Sequence, residues 1–278
     1  MPAEKVRSER TSSAGIGILF IGDVIGSVGR KALQKYLPVL LRKYSPAITI
    51  ANAENAAGGN GITEDVGREL FMHADILTSG NHIWDKKEGL PYIDREPRLL
   101  RPANYPPGNP GHGSYIFTGE DGVRIGVLNL QGRVFMEPLD CPFRKADEEI
   151  AVLRESTPII LVDFHAEATS EKQALGWHLD GRVSAVVGTH THVPTADERI
   201  LPGGTAFITD VGMAGGRDSV IGIAREQALQ RFLTARPVRF EPSKAGLMLQ
   251  SVFIVVEEKT GRALSIQRDL LCEDKGDG

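Results

Sequence analysis

The sequence predicts an α/β fold in which two mixed sheets lie face to face between helices. Three observations carry this. Apolar runs of strand length alternate with amphipathic helical stretches over the first hundred residues, the pattern of βαβ units. The C-terminal third reads as mostly β, which adds an antiparallel contribution. Short polar clusters follow the apolar runs at five separated places, and the carboxyl ends of parallel strands converge on one crevice in such sheets.

Taken in order, Ile16 to Ile21 is a buried strand, and a helix over about 27–44 follows, with Leu33, Leu37, Leu40 and Leu41 on its apolar positions. Pro38 lies inside that helix and is expected to bend or split it. Ala47 to Ala51 is the second strand, and Thr63 to His73 the second helix with Thr63 as its N-cap. Asp75 to Ser79 is the third strand. Residues 101–113 hold four prolines and three glycines and read as loop. Tyr115 to Thr118 and Arg124 to Leu130, joined through Glu120-Asp121-Gly122, form a hairpin. A helix from Phe143 to Glu155 precedes a strand at Pro158 to Val162, and one from Ser170 to His178 precedes a strand at Val183 to Val187. Strands at Thr205 to Thr209, Pro237 to Phe240, Met248 to Val256 and Ala263 to Arg268, with a helix near 224–235, complete the chain.

A chain of 278 residues, 41% hydrophobic and 24% charged, can bury a full core. The expected organisation is a disordered leader over 1–15, one domain over 16–271 and a tail over 272–278. Net charge is -4, so no general polyanion-binding surface is advertised and no long nucleic acid is expected as a partner. Two cysteines without a CxxC argue against a disulfide framework or a thiolate zinc site, and for a reducing compartment. No apolar run approaches the roughly 18 to 20 residues that span a bilayer. Residues 1–15 lack the apolar core of a signal peptide, so the expected location is cytoplasmic and no membrane partner is expected.

The five polar clusters are Asp23, Glu54-Asn55, Asn81-His82, His165, and His190 with His192. Asp, Glu, Asn and several His gathered in one crevice suit a hard-to-borderline metal site, and five contributing strand ends suggest two metals. Asp23 sits between Gly22 and Gly26, where it either caps a helix or meets a ligand. Glu54 can bridge two cations through its two oxygens, although the same Gly-rich flank also suits a surface turn. His82 can ligate, stand beside the metals as a proton donor, or be a satisfied buried histidine. His190 and His192 would face opposite sides of a regular strand, but in a turn after Gly188 both can swing toward one site. His73, His112 and His178 read as structural or surface residues. Arg101, Arg133 and the Thr209-Asp210 turn lie near strand ends without a catalytic assignment. Two cations about 3.5 to 4 Å apart turn a bridging water into hydroxide near neutral pH, able to attack phosphorus in line.

The order Gly-Asp, acidic pair, Gly-Asn-His, lone His and Gly-x-His-x-His resembles the calcineurin-like metallophosphoesterase superfamily. The usual second motif of that superfamily, Gly-Asp-x-x-Asp-Arg-Gly, is replaced here by Ala53-Glu54-Asn55. With Phe20 to Gly26, Asp163 to Lys172 and Val187 to Val193, the replacement is similar to the YmdB-type bacterial phosphodiesterases, over about Ile16 to Leu271. The resemblance implies an αββα sandwich. It implies a first metal held by Asp23, Glu54, Asn55 and His192, and a second held by Glu54, Asn81, His165 and His190, with His82 as general acid. It also implies two divalent or trivalent ions, iron or manganese, and hydrolysis of small phosphodiesters, favouring 2',3'-cyclic nucleotides. Self-association fits the resemblance too. The alternatives are a phosphomonoesterase or nucleotidase on the same centre, and a nucleotide-sensing regulatory protein with little turnover.

Overall fold

A computed structural model describes residues 15–273, so the expected leader falls almost wholly outside the described residues. One sheet contains β1 (Ile16–Ile21), β2 (Asp23–Val24), β3 (Ile48–Asn52), β4 (Ile76–Thr78), β11 (Met213–Gly216), β12 (Leu247–Val256) and β13 (Ala263–Cys272). Its order is β2-β11-β12-β1-β3-β4, with β13 paired to β12. The second sheet has the order β5-β6-β7-β8-β10-β9. Its strands are β5 (Ser114–Thr118), β6 (Arg124–Gln131), β7 (Ile160–His165), β8 (Ala185–Thr189), β9 (Arg199–Ile200) and β10 (Ala206–Ile208). The helices are α1 (Gly26–Tyr44), α2 (Glu64–Phe71), α3 (Leu90–Arg95), α4 (Pro142–Arg154), α5 (Thr169–His178) and α6 (Arg225–Thr234).

Strand alternation explains the layers. In β1, Ile18 and Phe20 face the second sheet and share a core with Ile48, Ile50, Val127, Leu161 and Val187. Leu19 and Ile21 face the opposite way, packing with Leu33, Leu37 and Leu40 of α1. In the second sheet, Leu128, Ile160 and Val162 meet Ile150 and Leu153 of α4 and Leu175 of α5. Both faces of each sheet are therefore covered, and the central strands read as continuous apolar runs for that reason. This is the expected αββα sandwich. The parallel pairs β1/β3, β3/β4, β6/β7 and β7/β8 set the register that brings their carboxyl ends to one side.

Most expected elements are present, including Thr63 as N-cap, whose side chain accepts the Val66 amide. Pro38 does not split α1, which runs unbroken from Gly26 to Tyr44. The proline is exposed, so its ring faces solvent and its missing donor costs a single helical hydrogen bond. The strand expected at Pro237 to Phe240 is not formed. Those residues are irregular and mostly exposed, and Pro237 has no N–H to offer a ladder. The strands β2, β9 and β11 went unforeseen because they have only two to four residues each. Toward the C-terminus, Cys272 ends β13, and Glu273 accepts a hydrogen bond from Lys35 at 2.7 Å.

Candidate metal centre

Strand ends supply each of the predicted site residues. Asp23 follows β1, Glu54 and Asn55 follow β3, and Asn81 with His82 opens a short 3₁₀ turn (Asn81–Trp84) after β4. His165 is the last residue of β7, while His190 and His192 lie just beyond β8. His165 is the hub. Its Nε2 lies 3.2 Å from Glu54 Oε2, 3.3 Å from Asn81 Oδ1 and 3.0 Å from His190 Nδ1. His192 Nε2 lies 3.7 Å from Asp23 Oδ1. Two groups of potential ligand atoms result, Glu54–His165–His190 and Asp23–Glu54–His192, each drawn together within 4.8 Å. Glu54 belongs to both.

Two buried oxygens in the same place have no hydrogen-bond partner, Asp23 Oδ1 and Asn55 Oδ1. Asn55 spends its amide nitrogen on the Gly59 carbonyl at 3.1 Å, which fixes its oxygen as the remaining lone-pair atom. Buried acceptors left without donors are costly, and a cation satisfies both. The protonation pattern gives the same answer. Burial pushes the Asp23 carboxyl up to about 6. Burial also acts to raise Glu54, but the charge and hydrogen bond of His165, with His82 and His190, outweigh it and hold Glu54 at about 2. His165 is raised to about 9 despite its burial, chiefly by Glu54, with Asp23 and Asp163 adding. Burial and the neighbouring His165 charge push His190 down to about 3. The centre thus favours positive charge on a fully buried imidazole. Carboxylate, amide and imidazole donors that concentrate positive charge in this way fit metal ions of the hard-to-borderline class.

Sequence reasoning missed the groups that fix these side chains. Asp163, inside the apolar run of β7, accepts from Thr189 Oγ1 at 2.7 Å and from Asn52 Nδ2 at 3.1 Å. Thr189 Oγ1 in turn lies 2.9 Å from His165 Nδ1, so the ring is aimed from behind. Asn52 Oδ1 accepts the Glu54 amide at 3.1 Å. A carboxylate within a fully buried strand was the available signal, and burial pushes Asp163 up to about 7. Asp85 was also missed. Its Oδ2 lies 2.9 Å from His82 Nδ1 and accepts from Asn60 Nδ2 at 2.8 Å, which orients the His82 ring. Arg101, by contrast, is spent on the Pro110 and Pro102 carbonyls.

Gly80 shows how tightly the centre is built. A Cβ there would overlap His165 Nε2 and Glu54 Oε2. Gly80→Ala is therefore expected to displace both groups and to weaken any uptake of Mn(II) at the candidate centre by at least the roughly 10- to 100-fold typical of disturbed ligand support. Calorimetric titration with Mn(II) measures this.

Residues 19–268 match the family described as YmdB-like protein. The 2',3'-cyclic-nucleotide 2'-phosphodiesterase of Bacillus subtilis (strain 168) is 54% identical over 258 residues, covering 92% of this chain and 97% of that protein. The crystal structure of a hypothetical protein from Thermus thermophilus superposes with a TM-score of 0.86 at 42% identity, covering 93% of this chain and all of that one. A crystal structure described as a novel phosphatase, from Mycoplasma pneumoniae, does so with a TM-score of 0.87 at 38% identity, covering 94% of each chain. Fold, match length and identity agree, and the chain belongs to the YmdB-like protein family.

Proposed function

We propose that this chain is a binuclear metal-dependent phosphodiesterase acting on small phosphodiesters, with 2',3'-cyclic nucleotides as the favoured class. One observation carries the reading. The Glu54 carboxylate is common to both clusters of candidate ligand atoms, an arrangement that serves a bridging ligand. The 54% identical relative named as a 2',3'-cyclic-nucleotide 2'-phosphodiesterase supports the substrate class. Asp23, Glu54, Asn55 and His192 would hold one ion, and Glu54, Asn81, His165 and His190 the other, with iron or manganese suited to these donors. When bound, such a pair supplies an acidified water and neutralises charge on the phosphoryl oxygens.

The chain's own residues do the rest. His165 is locked by Thr189 and Asp163, so the donor set keeps its geometry as charge moves. His82 is half-exposed at the mouth of the centre, with its backbone amide donating to Glu54 Oε2 at 3.2 Å. Asp85 holds its Nδ1, which leaves Nε2 to carry the proton for the departing oxygen. In a 2',3'-cyclic substrate the attacking water oxygen bonds to phosphorus, the P–O2' bond breaks, and His82 protonates the 2' oxygen. A nucleoside 3'-phosphate is the product. Among the described residues no helix is long and apolar enough to cross a membrane. Cys141 and Cys272 are unbridged.

A monoesterase reading is favoured by one finding, the description of the Mycoplasma pneumoniae structure as a phosphatase. Rates on bis-p-nitrophenyl phosphate and p-nitrophenyl phosphate separate the two, because the chromophore is shared. The diester is expected to be the better substrate by kcat/KM. A higher kcat/KM for the monoester would replace the proposed activity with phosphomonoester hydrolysis.

A further inference from the structure

Behind the His190–Thr191–His192 turn lies an ion pair that the mechanism does not use. Lys172, on α5, and Asp210, after β10, meet at 2.7 Å with each side chain about 1% exposed. Buried pairs of this kind add little net stability, because desolvation offsets the attraction. Their geometry is what distinguishes them, and here it is directed at one residue. Asp210 Oδ2 also accepts the Thr191 amide at 3.1 Å and the Thr191 hydroxyl at 2.8 Å, while Oδ1 accepts the Gly212 amide at 2.8 Å. The residues on either side of Thr191 both have positive φ, 98° at His190 and 63° at His192. Side-chain-bearing residues hold such conformations only where their surroundings over-determine them. Gly188 leaves the room that this requires: a Cβ there would collide with the Thr209 carbonyl and come within 3.0 Å of Lys172 Cδ.

We propose that the Lys172–Asp210 pair is a positioning device that clamps Thr191 and so holds His190 and His192 in the strained turn from which both face the metal centre. The inference rests on the metal reading given above. Lys172 neutralises Asp210 and pins it. Asp210 grips Thr191 by two donors at once. The strain at His190 and His192 is then carried by the protein before any ion arrives, so a bound ion does not have to bend the turn into place.

Thr191 gives the cleanest test, since it is partly exposed and buries no charge. Thr191→Val keeps the shape and removes the hydroxyl donor, and Thr191→Ser keeps the donor. Mn(II) affinity is measured by calorimetry on the chelator-stripped full-length chain, with Tm recorded on the same samples. Thr191→Val is expected to bind Mn(II) about 10- to 100-fold more weakly with little change in Tm, the range for groups that support ligands from outside. Thr191→Ser should bind like the wild type, and Lys172→Met should be weakened at least as much as Thr191→Val. Wild-type affinity in Thr191→Val, or a lowered Tm with unchanged affinity, overturns the clamp. So does Thr191→Ser binding as weakly as Thr191→Val. Should Lys172→Met fail to fold, the two Thr191 variants decide alone. A wild-type chain that takes up no Mn(II) removes the metal reading itself, and the clamp with it.

Discussion

Glu54→Gln is expected to lower kcat by several orders of magnitude and to release metal. Outer-shell partners of a metal ligand cost about 10- to 100-fold when removed, and Glu54 belongs to both groups of candidate ligand atoms. The substitution keeps size and shape but removes a carboxylate charge that burial opposes and that His165, His82 and His190 keep ionised, with its pKa at about 2. In the metal-free chain it leaves His165 without its main counter-charge, so the variant is expected to melt at a lower temperature as well. Steady-state kinetics on bis-p-nitrophenyl phosphate, with metal content measured on the same preparation, separates lost chemistry from lost fold. Near-wild-type turnover with full metal content would remove Glu54 from the centre.

His82→Ala is expected to show the second largest effect, and one that depends on the substrate. A general acid contributes about 10²- to 10⁴-fold when the leaving group is a poor one, such as a ribose oxygen. A good leaving group such as nitrophenolate departs without a proton. The variant should therefore lose most of its rate on 2',3'-cyclic AMP and little on bis-p-nitrophenyl phosphate. Equal losses on both would assign His82 to metal binding or positioning. Asp85→Asn should give a smaller loss with the same dependence on leaving group, since Asp85 acts through the His82 ring at 2.9 Å.

The architecture was readable because periodicity and punctuation agree along most of the chain. Ile16 to Ile21 alternates between two cores, and Thr63 caps α2 through its own side chain. Failures came where length or context decides. Pro237 to Phe240 has strand-like content but pairs with no strand among the described residues, and β11 has four residues, half of them glycine. At the candidate centre, a polar residue ending an apolar run was a reliable sign of a strand end. Asp23, Glu54, Asn55, Asn81, His82, His165, His190 and His192 all carry that sign. The groups behind them are marked less consistently. Asn52 ends β3 just as the candidate ligands end their runs, but Asp163 sits inside β7, and Lys172 meets Asp210 across 38 positions on elements whose packing no local pattern encodes. Bracing side chains are therefore identified mainly by tertiary contact.

In the proposed function, strand ends of both sheets build one two-metal centre on which hydrolysis depends. Metal analysis of the purified chain, paired with phosphodiesterase assays before and after chelation, tests this most directly. Two ions per chain are predicted, with hydrolysis of bis-p-nitrophenyl phosphate lost on chelation and recovered on adding Mn(II). A chain that purifies without metal and binds none, or that hydrolyses the diester at an unchanged rate once stripped, would contradict it.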